Sequence, residues 1–183
     1  MLKLFKIVGK YKSVILFILT FLGVYVVLSL LYGFYLSRSA SSSYYPDYIT
    51  HQVAVQSAWL VKFFGYATQL APHPEEASMV LGVENVYVAR VVEGCNAMSV
   101  IILFVAFVMA FFQGWQRTIL FTLGGVILIY VVNILRIALL SIGLYRFPEA
   151  QNLLHDIVFP AIIYGLVVLL WLLWVRNFKK QAG

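Results

Sequence analysis

Long apolar runs broken by short polar segments dominate the chain. An uncharged apolar stretch extends from Ser13 to Leu36, followed by apolar runs at Asn96–Phe112, Thr118 to about Gly143, which contains Asn133 and Arg136, and Ile157–Val175. Crossing a hydrocarbon core about 30 Å thick takes roughly 20 apolar residues in a helix, so each run reads as a membrane span. Gln52–Leu70 has comparable length but carries Lys62 and several glutamines. Val55, Trp59, Phe63, Tyr66 and Leu70 recur at helical spacing, which predicts an amphipathic helix lying on the membrane surface. Met79–Val92 is rich in β-branched residues around Glu84-Asn85, which predicts a short β-hairpin. The expected fold is an all-α polytopic membrane protein of about four spans, with the surface helix and hairpin on the outer face.

Composition supports a bilayer as the solvent: 63% of the 183 residues are hydrophobic and 11% are charged, against about 25% charged in soluble domains. The net charge of +6 suggests nucleic acid only until its placement is considered. With four spans, residues 1–12, Gln113–Arg117 and the tail from Arg176 fall on one side, carrying Lys3, Lys6, Lys10, Lys12, Arg117, Arg176, Lys179 and Lys180. The acids Asp47, Glu75, Glu76, Glu84, Glu93, Glu149 and Asp156 fall on the other. This bias puts both termini in the cytoplasm, whereas a fifth span at Gln52–Leu70 would break it. The chain then divides into 1–36 (basic N terminus and first span), 37–94 (outer segment), 95–176 (three-helix core) and 177–183 (basic tail). Ser39–Ser43 reads as a polar linker. The first span is too long for a signal peptide, and Arg38 spoils the cleavage candidate at Ala40, so it reads as a retained anchor.

This topology brings three reactive side chains to one depth. Cys95, the only cysteine, opens the second span, where helix N–H groups favour a thiolate nucleophile; its plain alternative is a small buried residue. Arg136 sits about 27 Å along the third span from Thr118 at 1.5 Å per residue. Asn133, three residues earlier, shares its face. The arginine fits an oxyanion donor or a carboxylate clamp, or else snorkels to headgroups. His155 precedes the fourth span beside Asp156 and fits a general acid and base, or is merely solvated. His51 and His73 are competitors, and Ser99 or Ser141 with His155 would make a serine mechanism. No metal-ligand spacing, phosphate loop or GxSxG pattern occurs, so no metal or other cofactor is expected. A non-enzymatic membrane subunit gripping a partner helix through Arg136 and Asn133 is the rival class.

Three ordered blocks carry a family resemblance: Glu93-Gly94-Cys95-Asn96-Ala97 opening a span, Asn133-Ile134-Leu135-Arg136 near the end of the next, and His155-Asp156 opening the last. Over about residues 86–176 the chain resembles the exosortase/archaeosortase transpeptidases, most of all the compact exosortase F type. It lacks the extra N-terminal spans of many members. Asn96-Ala97 stands where Ser-Gly is common. The resemblance implies Cys95, Arg136 and His155 as catalytic residues, supported by Asn133, Asn96 and Asp156. It also implies a substrate whose C terminus carries a short motif, a transmembrane helix and a basic tail, cut on the outer face and passed to a surface glycan, a lipid or water. Val86–Val92, with Tyr87 and Arg90, is expected to pair with the extended motif. Membrane lipid is the other expected partner, and nucleic acid is not expected.

Overall fold

The computed structural model describes residues 11–39 and 44–179, with side chains up to Arg176. The basic residues Lys3, Lys6, Lys10 and Lys180 and linker positions 40–43 lie outside the described residues, as does the Lys179 side chain. Helix α1 (Lys12–Ser39) turns leucines such as Leu16 and Leu30 outward, 61% and 68% exposed. A helix that exposes large apolar side chains along its whole length suits a hydrocarbon solvent.

Asp47 begins α2 (Tyr48–Phe63): its backbone is extended and its carboxylate accepts the Thr50 N–H at 3.0 Å, satisfying one of the free donors of the first turn. Thr50, Val53, Ala54, Ser57, Ala58 and Val61 form the buried face. Val55, Trp59 and Phe63 form an exposed stripe on which the Trp59 and Phe63 rings stack at 5.8 Å. The helix stops short of the expected Leu70. Gly65 takes a positive φ of 91°, a conformation only glycine adopts freely, and redirects the chain into a strand. Tyr66 and Leu70 therefore leave the helical stripe.

That strand, β1 (Thr68–Pro72), pairs antiparallel with β2 (Ser78–Val83), which pairs antiparallel with β3 (Val86–Val92). The expected hairpin is present as β2–β3. Glu84 and Asn85 both take positive φ (50° and 64°), the geometry of a tight two-residue hairpin turn. β1 makes it a three-stranded sheet in the order β1-β2-β3. Leu81 pairs with Ala89 and Gly82 with Tyr87, so Val88 is an extra residue, a bulge in β3.

After a 3-10 turn (Glu93–Cys95) come α3 (Met98–Ala110) and α4 (Trp115–Arg146). A second 3-10 turn (Pro148–Ala150) precedes a π turn (Leu153–Val158) that runs into α5 (Phe159–Lys179). Among the described residues, three helices are long and apolar enough to cross a membrane: Lys12–Ser39, Trp115–Arg146 and Leu153–Arg176. The second expected span is shorter than the sequence suggested, because Asn96 and a left-handed Ala97 delay the helix to Met98 and Phe111 ends it. α4 instead overruns Gly143 and rises about 48 Å at 1.5 Å per residue, well beyond a 30 Å core. Its far half is the spine of a cap. Ile137 packs with Val53, Ala54, Ala58, Met79, Leu81 and Val91, and Ala138 with Val61 and Val83. The near half packs on α3 and α5 through Phe104, Ile129, Val167 and Trp174. The two tryptophans Trp115 and Trp174 differ in setting. Trp115 is exposed, while Trp174 is buried and donates Nε1–H to the Phe111 carbonyl at 3.0 Å.

α3 and α4 approach closely at Gly125, where a β-carbon would fall inside the contact radius of the Phe104 ring. Gly125→Ala is expected to destabilise the protein by about 1–3 kcal/mol through overpacking. The readout is a lower melting temperature in lipid nanodiscs, and an unchanged one refutes the close crossing.

Candidate active site

β3 delivers the chain to Cys95, which is partly exposed on the 3-10 turn. Asn96 follows, 1% exposed, and ties three helices together. Its Oδ1 accepts the Met98 N–H at 2.9 Å, while Nδ2 donates to Tyr32 Oη of α1 at 2.7 Å and to Thr50 Oγ1 of α2 at 3.0 Å. Ala97 then takes φ 63°. Asn96→Ala removes the acceptor of the Met98 N–H and strips a partner from the buried Thr50 hydroxyl and the half-buried Tyr32 hydroxyl, an expected loss of about 2–3 kcal/mol. Thermal unfolding of the purified variant checks this, and wild-type stability would rule out the anchoring role.

From the facing helix, the fully buried Asn133 of α4 donates Nδ2 to the Cys95 carbonyl at 2.8 Å. Its Oδ1 accepts Nη1 of Arg136 at 3.3 Å. One amide thus fixes the backbone under the thiol and one arm of the guanidinium. Among the described residues the Arg136 Nε, also buried, has no hydrogen-bond partner.

His155 comes from the π turn. The Phe159 N–H bonds to the carbonyl of Leu154, five residues back, and Pro160, next along, has no N–H to extend a regular ladder. His155 Nδ1 lies 2.7 Å from Asp156 Oδ1. A proton held on Nδ1 by that carboxylate leaves Nε2 as the basic nitrogen.

Cys95, Arg136 and His155 line one cavity of about 430 Å³. Tyr87–Val92 of β3 form one wall, and Ile137, Leu140 and Leu144 of α4 share the lining with Gln151. Neither Ser99 nor Ser141 is among its lining residues. Ser141 is buried and bonded to the Ile137 carbonyl at 2.8 Å. His51 and His73 are engaged elsewhere: His51 lies against the Tyr45 carbonyl, and His73 Nδ1 accepts the Glu75 and Glu76 N–H groups. Tyr87 and Arg90 both reach the cavity, but Arg90 is ion-paired with Glu76.

Helical rise gives the depth. Lys12 to Tyr32, Arg117 to Arg136 and His155 to Arg176 each span about 28–32 Å at 1.5 Å per residue, close to one hydrocarbon thickness. The three sets of residues thus bracket one slab, with Lys12, Arg117 and Arg176 at one face and the cavity at the other. Sequence reasoning missed Tyr32 and Thr50 behind Asn96, which no local pattern marks, and the cavity floor. Leu140 and Leu144 were findable, since they continue the Arg136 face at successive steps of four.

No curated protein and no solved structure matches the chain. The family model described as transmembrane exosortase (Exosortase_EpsH) matches residues 10–175. With apolar helices long enough to cross a bilayer, and a match over nearly the whole length, the chain belongs to the transmembrane exosortase family.

Proposed function

We propose that this protein is a cysteine transpeptidase of the bacterial cytoplasmic membrane, which cleaves C-terminal sorting signals of exported proteins at the outer face and passes them to an acceptor. The observation that carries this reading is the convergence of Cys95, Arg136 and His155 on one cavity. All seven acids lie in the cap half or its turns, while Lys12, Arg117 and Arg176 lie at the opposite face, which by the positive-inside bias orients the cavity outward.

The Cys95 thiolate adds to the scissile carbonyl, and Arg136 donates to the oxyanion. Protonated His155 gives its proton to the leaving nitrogen as the C–N bond breaks. This releases the helix-and-tail fragment with a free amino terminus and leaves an acyl thioester on Cys95. Neutral His155 then takes a proton from the hydroxyl or amine of the acceptor. The acceptor attacks the thioester, and the Cys95 thiolate and imidazolium are restored. Asp156 holds the imidazole, Asn133 holds the Cys95 backbone and Arg136, and Asn96 anchors the turn. The acceptor is a surface glycan or lipid. The exposed Val55, Trp59 and Phe63 stripe of α2 rests in the outer lipid interface, where aromatic side chains are favoured.

The test is co-expression with exported proteins ending in a short motif, a transmembrane helix and a basic tail. A Cys95-dependent size shift is expected, with added mass on the new C terminus. A free carboxylate there identifies water as the acceptor and reduces the activity to proteolysis. No Cys95-dependent shift with any such protein overturns the reading.

A further inference from the structure

We infer that the substrate is read through its backbone, as a fourth strand added in parallel to the free edge of β3. This deepens the peptidase reading above and rests on it. β3 pairs with β2 alone and is an edge strand. Six consecutive residues, Tyr87–Val92, line the cavity that holds Cys95. Side chains on a strand alternate between faces, so an unbroken run along a cavity wall presents the strand's backbone edge. Among the described residues, the only hydrogen bonds to the Tyr87–Val91 backbone are those to β2, and the 3-10 turn at Glu93–Cys95 closes the edge at Val92. Open edges of this kind recruit extended peptides.

Direction follows from topology. β3 runs toward the membrane, because it leads through Cys95 into α3. A substrate whose transmembrane helix follows its motif runs the same way, so the two strands lie parallel. Length follows from the bulge. Val88 has no partner on β2 and breaks the regular edge. The uninterrupted ladder is therefore Ala89–Val92, which matches the few residues immediately before the cleaved bond. Ile137, Leu140 and Leu144 supply an apolar bank for the side chains of alternate substrate residues. Arg90 is neutralised by Glu76, so selection by charge along this edge is weak.

The experiment uses the full-length protein in membranes with a reporter fused to a C-terminal signal that the wild type processes. Single cysteines are placed by Tyr87→Cys or Arg90→Cys in a Cys95→Ala background and cross-linked to a cysteine scanned through the signal. Both should capture positions before the cleaved bond, and the captured position should move further upstream from Arg90→Cys to Tyr87→Cys. In the active enzyme, proline placed in the substrate at every second residue of that stretch should cut processing several-fold, while proline at the intervening residues is tolerated. A register that moves downstream, or no register and no alternation while processing still needs Cys95, overturns strand addition alone. Processing that persists in Cys95→Ala overturns the underlying catalytic reading instead.

Discussion

Cys95→Ala is expected to reduce processing of a co-expressed substrate by at least about 10³-fold, since an essential nucleophile has no substitute in the site. The fold should survive. Asn133 contacts the Cys95 carbonyl, a backbone atom that the substitution leaves in place. Asn96, which ties α1, α2 and α3 together, is also untouched. An unchanged melting temperature beside lost processing therefore isolates the chemistry. Cys95→Ser preserves shape but offers a weaker nucleophile, and should be nearly as inactive. The rival class, a non-enzymatic subunit gripping a partner helix, makes the opposite forecast: Cys95→Ala is silent and Arg136→Ala is harmful. If Cys95→Ala processes substrate at the wild-type rate, covalent catalysis is wrong.

The membrane-spanning part of the fold was legible because hydrocarbon imposes one rule, uninterrupted apolar helix, and the sequence obeys it in plain runs. The convergence of the candidate residues on one cavity was legible for the same reason. Cys95, Asn133, Arg136 and His155 are polar groups at the edges of apolar runs, where a polar group needs a specific partner. The cap was harder to read. Leu70 continues the helical spacing of Trp59 and Phe63, yet Gly65 diverts the chain and Leu70 lies in β1. Periodicity cannot detect one glycine in a positive-φ conformation. The exposed stripe of α2 posed a similar trap: the aromatics that mark its amphipathicity face outward, while small and polar residues such as Ala54, Ser57 and Thr50 make the packed face. The overrun of α4 was hidden because its segment inside the cap is as apolar as its segment in the membrane. Ile137 and Ala138 pack on the sheet and α2, and only tertiary contacts separate that burial from lipid contact.

Arg136→Lys and Arg136→Gln are each expected to lower the processing rate by about 10²–10³-fold with little change in the substrate concentration required, the pattern for a donor that acts mainly in the transition state. The geometry makes the lysine variant informative. Arg136 spends Nη1 on Asn133 and lines the cavity, so a planar guanidinium is locked on one arm while other donors stay available. A lysine ammonium keeps the charge but not the rigid fork, and so cannot be held and donate in the same fixed plane. Asn133→Ala should lose part of the same activity, because it releases both Arg136 and the Cys95 carbonyl. The double variant should be less impaired than the product of the two single effects, the mark of residues acting as one unit. A rise in required substrate with an unchanged maximal rate would instead make Arg136 a carboxylate clamp. Full activity in Arg136→Lys, with Asn133→Ala independent of it, would leave the arginine only an interfacial anchor.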